Sequence, residues 1–327
     1  MDIVNFTYFI LEGHMDLQNY RYVYFILILT VYILIIVFNT VVIFVIFMNK
    51  CLHEPMYIFI AALLCNALFG ATTVYPKLLT DLLAEKQIVS YHGCLFQALF
   101  VYWYAATEFT LLSAMAYDRY VSICKPLHYA TLVKMSTVKK IIFLSWFLPC
   151  CELSVTLISL YQLQLCKFKL NRIYCDSYSI RNLACKEMSP TSSYGLFIFC
   201  IAVFPPVIFI MYSYIRILSV CLKNSKDFRR KALQTCLPHL LILMNFSVNI
   251  CFEVINNRLQ SNQIPHIIAI ILSVDFLLIP PLLNPIIYGI NLQAILKSIK
   301  RLISWKKKSG LQLLVIELGW LAFSSWE

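Results

Sequence analysis

Seven long apolar stretches, separated by short polar segments, constrain this 327-residue chain more than any other feature. Crossing a bilayer's hydrocarbon core takes about 20 apolar residues in a helix. Stretches of that length run over Val23–Met48, Met56–Leu83, Cys94–Ile123, Val138–Tyr161, Ser193–Leu222, Lys231–Asn256 and Ile264–Ile290. They are almost continuously apolar, which excludes the alternation of a membrane β-barrel. Charged residues make up 13% of the chain, against roughly 25% in an ordinary globular domain. The fold expected is an all-α membrane protein, a seven-transmembrane helix bundle. Its divisions are residues 1–22 as an extracellular N-terminus, 23–290 as the bundle, 291–308 as a basic cytoplasmic helix and 309–327 as an apolar tail.

Basic residues set the orientation, because Lys and Arg stay on the cytoplasmic side of short loops. With the N-terminus outside, Arg119, Lys125, Lys134, Lys139 and Lys140 face the cytoplasm, followed by Arg216 to Lys231 and Lys297 to Lys308. The net charge of +11 then describes a basic face beside anionic lipid. No zinc finger or nucleic-acid recognition motif accompanies it, so the charge does not point to nucleic acid. The first 22 residues lack a basic leader and a cleavage site, so span one is expected to act as its own insertion signal. The Asn5-Phe6-Thr7 sequon is then usable for glycosylation. The location implied is the plasma membrane, with multiple passes.

Of the 13 cysteines, Cys94, Cys166, Cys175 and Cys185 fall outside, where oxidation is possible; spacing alone leaves their pairing open. No cysteine–histidine cluster has zinc-ligand spacing, so no metal centre is expected.

Three polar constellations stand out. Asp118-Arg119-Tyr120 closes the third span, and charge beside hydrocarbon needs a partner. Asp118 is one candidate partner, and breaking such a pair would release Arg119 to a new partner entering from the cytoplasm. Asn284-Pro285 and Tyr288 lie in span seven, where proline removes a backbone donor and kinks the helix. Tyr214, near the end of span five, is placed to meet Arg119 or Tyr288. The plainer reading of each is an ordinary helix end or a static proline kink.

Taken together and in order, Leu52-His53-Glu54-Pro55-Met56-Tyr57, Met115-Ala116-Tyr117-Asp118-Arg119-Tyr120, Ser213-Tyr214, Cys236-Leu237-Pro238-His239 and Pro281-Leu282-Leu283-Asn284-Pro285-Ile286-Ile287-Tyr288 are specific. Over roughly Tyr22 to Ile303 the chain resembles the olfactory receptors of the rhodopsin-like G-protein-coupled superfamily, most of all those of fish. The resemblance implies a small-molecule odorant as ligand and a stimulatory, olfactory-type heterotrimeric G protein as partner, with membrane lipid around the bundle. It implies that Cys94 pairs with Cys175 and Cys166 with Cys185. It places a ligand pocket toward the outside, between spans three, five, six and seven, lined by Tyr102, Ala105, Ala106, Ile198, Ala202, Ile250 and Val254. Arg258, at the outer end of span six, reads either as a clamp for an anionic ligand group or as a solvated loop arginine. No enzyme is expected.

Glu108 lies inside span three, and an intramembrane acid marks a functional site by default. The resemblance implies a weakly bound sodium ion there, shared with a second acid in span two. This chain departs from that pattern, with Asn66 and Ala67 in the corresponding region. Two readings therefore stand: a weak sodium site of one carboxylate with amide and hydroxyl groups, or a neutral, hydrogen-bonded Glu108. No other cofactor is implied. Phe38 before Asn39, where glycine is usual, and the apolar tail are further departures.

A transporter would show repeated halves, and an enzyme would show clustered acids or histidines in the spans; neither pattern is present. A rhodopsin-like receptor for a non-odorant small ligand is the runner-up. Peptide and amine receptors usually carry Cys-Trp-x-Pro in span six, which this chain lacks.

Overall fold

The computed structural model of this protein describes residues 8–13, 20–185, 189–259, 266–291 and 294–298. Among them are seven long helices: α1 (Arg21–Met48), α2 (Pro55–Leu83), α3 (Tyr91–Cys124), α4 (Met135–Tyr161), α5 (Ser189–Leu222), α6 (Lys226–Leu259) and α7 (His266–Asn291). Each coincides with one expected span, and most run a few residues further. Asn5, the basic segment beyond residue 298 and the apolar tail lie outside the described residues, as do the side chains of Val254 and Arg258.

The helix starts follow local chemistry. Pro55 opens α2 after an extended Glu54, where its missing N–H costs nothing. Ser90 caps α3 by accepting from Gly93 N at 3.1 Å. Helix α3 is the hub and packs against α2, α4, α5 and α6. That position explains its composition: a helix surrounded by others can point polar groups inward, and Gln97, Thr107, Glu108 and Asp118 are all buried. By contrast α1, α2, α4 and the Phe197–Leu222 part of α5 are apolar and long enough to span a bilayer on composition alone. Helices α2 and α3 meet closely at Gly70, where an added Cβ would stand 2.5 Å from the Tyr104 ring. Phe38 packs with Val37 and Val41 against Leu282 and Ile286 of α7.

Prolines inside helices leave carbonyls without donors, because residue i offers no N–H to residue i−4. The bundle answers four of these from neighbouring helices. In α7, Pro280, Pro281 and Pro285 free the carbonyls of Phe276, Leu277 and Pro281. Tyr104 of α3 donates to Phe276 O at 3.2 Å. Tyr75 of α2 donates to Leu277 O at 3.4 Å. Asn39 of α1 donates to Pro281 O at 2.8 Å. In α4, Pro149 frees Ser145 O, which Thr110 of α3 meets at 3.0 Å.

Three short strands accompany the helices among the described residues. Strand β1 (Tyr8–Leu11) is the centre of a small sheet on the extracellular side, antiparallel to β2 (Ile88–Ser90) and parallel to β3 (Lys169–Leu170). Phe9 and Leu11 are buried beside Cys94 and Cys175, and Lys169 pairs with Glu12 at 2.6 Å. The N-terminal stretch thus ties the loop after α2 to the loop after α4. Its alternation of burial along Tyr8-Phe9-Ile10-Leu11 is the period of a half-buried strand.

Candidate functional site

Two disulfides shape the outer end. Cys94, at the top of α3, is joined to Cys175 across a Cα–Cα distance of 5.3 Å. Cys166 is joined to Cys185 within the loop after α4. The first bridge holds the segment following Cys175 over the bundle. There Asp176 caps a short helix, Ser177–Arg181, by accepting from Ser179 N at 2.9 Å.

Beneath that helix lies a cavity of about 130 Å³. Helix α3 contributes Tyr102, Ala105, Ala106 and Phe109, and α5 contributes Ile198, Phe199, Ala202 and Val203. Ile250 enters from α6 and Phe276 from α7. The structure therefore gathers Tyr102, Ala105, Ala106, Ile198, Ala202 and Ile250 around one space. It adds walls that the sequence reading did not include: Leu153 and Thr156 of α4, and Tyr174, Asp176, Ser177, Tyr178 and Arg181 of the loop. The one available signal was adjacency, since Asp176 directly follows a cysteine bridged to the top of α3. The lining is mostly apolar with polar groups concentrated on the loop side, the usual character of a small-molecule site.

A second polar centre lies deeper. Glu108 is fully buried and is held by two amides from other helices. Asn66 of α2 donates to Oε2 at 2.8 Å, and Asn284 of α7 donates to Oε1 at 3.0 Å. Asn66 Nδ2 also reaches Tyr104 O at 3.1 Å. The amide oxygens of Asn66 and Asn284 have no hydrogen-bond partner among the described residues. A carboxylate with two unpartnered amide oxygens is a hard, oxygen-rich donor set that suits a small alkali cation. Turning the amides would present those oxygens to it, since the two ends of an amide are told apart only by their partners. Asn66 thus occupies the place expected of a second acid.

The cytoplasmic end differs from the sequence expectation in its pairings. Asp118 and Arg119 form no ion pair among the described residues. Asp118 Oδ1 instead accepts from Tyr129 OH at 2.8 Å, in the turn Tyr129–Leu132 that follows α3. Burial first, then the Asp118 charge, pushes the Tyr129 hydroxyl above its ordinary range, so it stays protonated and keeps donating. Arg119 reaches Met56 Sδ at the start of α2. The physical reason is geometric: neighbouring residues on a helix project about 100° apart, so each meets a different neighbour.

Tyr214 meets neither Arg119 nor Tyr288 by hydrogen bond among the described residues; its hydroxyl lies 2.6 Å from His239 Nδ1 on α6. His239 Nε2 lies 3.0 Å from Leu112 O of α3. A carbonyl only accepts, so Nε2 carries the proton and Nδ1 accepts from Tyr214. One buried imidazole thereby joins α3, α5 and α6. Tyr288 OH sits 4.0 Å from Met115 Sδ, and the Tyr120 ring lies 6.4 Å from that of Tyr212. Pro285 serves the site through Asn284, its neighbour, and through the carbonyl it frees for Asn39.

Among known proteins, residues 28–306 match the family model described as olfactory receptor. Human olfactory receptor 52B6 is 33% identical over 268 residues, covering 81% of this chain and 80% of that protein. Human olfactory receptor 52D1 is 34% identical over 280 residues, covering 85% and 88%. A crystal structure of squid rhodopsin shares the fold with a TM-score of 0.69 over 87% of this chain and 86% of that one, at 17% identity.

Proposed function

The chain belongs to the olfactory receptor family, and from that premise we propose that its odorant occupies the cavity under the Ser177–Arg181 helix and that it activates a stimulatory, olfactory-type G protein. It is a multi-pass membrane receptor of rhodopsin-like fold and no enzyme; membership implies a small-molecule ligand and coupling to a G protein. The observation that carries the proposal is the pairing of an outer, mostly apolar cavity with a buried cytoplasmic junction at His239. Both ends share α3, α5 and α6.

Binding in the cavity touches α3, α5 and α6 together, so it biases how these helices sit against one another. An outward movement of α6 breaks His239 from Leu112 O and frees Tyr214 to turn toward Arg119. Arg119, with Asp118, Tyr120 and Tyr288, then forms the surface that the G protein reads, while Asn284 and Pro285 act deeper in α7, where Asn284 holds Glu108. Sodium at Glu108, Asn66 and Asn284 would favour the arrangement that holds α2, α3 and α7 together. The basic cytoplasmic face rests against anionic lipid of the plasma membrane.

The test is a cyclic-AMP reporter in cells expressing the chain with a stimulatory olfactory-type α subunit, screened against volatile and water-soluble odorants. A response that needs that subunit is expected. Its replacement by an equal response through an inhibitory-type subunit would overturn the coupling.

A further inference from the structure

Among the described residues, two buried oxygens on the loop side of the cavity have no hydrogen-bond partner. Thr156 of α4 is 9% exposed and Asp176 is 2% exposed. Among the described residues neither Thr156 Oγ1 nor Asp176 Oδ2 has a hydrogen-bond partner, Oδ2 meeting only the Arg172 guanidinium at ion-pair distance, and both residues line the same cavity. Buried polar atoms are almost always paired in folded proteins. Two left open on one cavity wall mark where a ligand makes its polar contacts.

We infer that Thr156 and Asp176 form a two-point polar subsite that selects a small neutral molecule carrying a hydroxyl group. This rests on the reading that the cavity is the odorant pocket. A threonine hydroxyl both donates and accepts, whereas a carboxylate only accepts. A ligand hydroxyl completes the chain: it accepts from Thr156 and donates to Asp176 Oδ2. An ether accepts but donates nothing to Asp176. A carboxylate also has no proton to give and faces a like charge. An ammonium ion meets a carboxylate whose charge is already offset, because Arg172 Nε stands 3.9 Å from Oδ2 and Arg181 lines the same cavity. The rest of the wall, including Ala105, Ile198, Ala202 and Phe276, is apolar and suits a hydrocarbon body. The volume of about 130 Å³ is close to that of an apolar cavity of roughly 150 Å³ that takes up benzene. The body is therefore small, about six carbons.

The test uses the full-length receptor, purified into lipid nanodiscs, with four probes of matched size: hexan-1-ol, methyl pentyl ether, hexanoate and hexylammonium. Thermal unfolding reports binding, and the cyclic-AMP reporter runs in parallel. Hexan-1-ol should stabilise the receptor at a concentration about tenfold below that needed for the ether. Thr156→Val keeps the side-chain shape, and Asp176→Asn keeps an acceptor for Ser179 N. Thr156→Val should weaken the alcohol and the ether alike, about three- to tenfold, because both accept from its hydroxyl, whereas Asp176→Asn should weaken the alcohol about three- to tenfold without weakening the ether. The inference is overturned if the ether matches the alcohol, if either ion outperforms it, if neither variant weakens it, or if no probe stabilises the receptor. Stabilisation by the alcohol without any cyclic-AMP response would instead overturn the signalling reading and leave the subsite standing.

Discussion

Asn39 Nδ2 donates to the carbonyl of Pro281 at 2.8 Å, across the α1–α7 interface. The carbonyl is open because Pro285, four residues on, has no N–H to give it. The same amide nitrogen also reaches Ile35 O at 2.7 Å. One side chain on α1 thus compensates a defect that sequence placed in α7, and lipid could not do so.

Replacing Asn39 with Leu leaves Pro281 O unsatisfied in a buried setting and should cost about 1–3 kcal/mol. Thermal unfolding of the purified receptor measures this. Asn39→Asp, which is similar in shape but has no amide donor, should not restore the loss. A midpoint unchanged in both variants would mean that the bond contributes nothing.

Gly70 and Gly195 make an internal contrast. A Cβ at Gly70 would meet the Tyr104 ring at 2.5 Å, whereas one at Gly195 meets nothing within 4 Å among the described residues. Gly70→Ala should destabilise by about 1–3 kcal/mol through overpacking and lower surface delivery. Gly195→Ala should be neutral or stabilising by about 0.5–1 kcal/mol, because glycine inside a helix is unfavourable. Equal effects at the two sites would refute the close α2–α3 approach.

His239→Leu removes the junction to both Tyr214 and Leu112 O. Each such bond contributes about 0.5–1.5 kcal/mol to the arrangement it holds. Ligand-independent cyclic-AMP output should therefore rise, by up to about tenfold for each bond. A silent variant with normal surface expression would show that the junction does not restrain α6.

Arg119→Ala should abolish signalling while surface expression stays intact, because Arg119 is the cationic group at the centre of the proposed G-protein surface. Tyr129→Phe removes the hydrogen bond to Asp118 and leaves that buried carboxylate without its donor, which loosens the turn after α3 beside Arg119. It should reduce signalling without abolishing it. Unchanged signalling in Arg119→Ala would sink the assignment.

Cys94→Ser opens the bridge to Cys175 that holds the loop helix above the cavity. Loss of a native disulfide costs about 2–5 kcal/mol, so the variant should be retained inside the cell. Flow cytometry of an N-terminally tagged receptor reports this directly. Normal delivery would mean that strand β1 alone secures the roof.

The seven helices were legible because the signal is local: twenty or so apolar residues need no distant partner to declare themselves. The basic residues of short loops are a local signal of the same kind, and the orientation expected from them calls on no distant partner. Helical pocket residues such as Tyr102, Ala105 and Ile198 could be named because resemblance fixes position along a helix. Pairings were another matter. That Asp118 would take Tyr129, that Arg119 would turn to Met56 and that Tyr214 would take His239 depends on which helices stand beside which. Asn39, Tyr75, Tyr104 and Thr110 read as ordinary polar residues in the sequence, and only tertiary packing set each against a carbonyl opened by a proline. Thr156 and Asp176 likewise became a site only when a disulfide and α4 brought a loop and a helix to one cavity. Hydrophobicity is a property of the segment and survives reading in one dimension. A hydrogen bond is a relation between two positions, and where those positions are distant in sequence only the folded bundle brings them within 3 Å or so of each other.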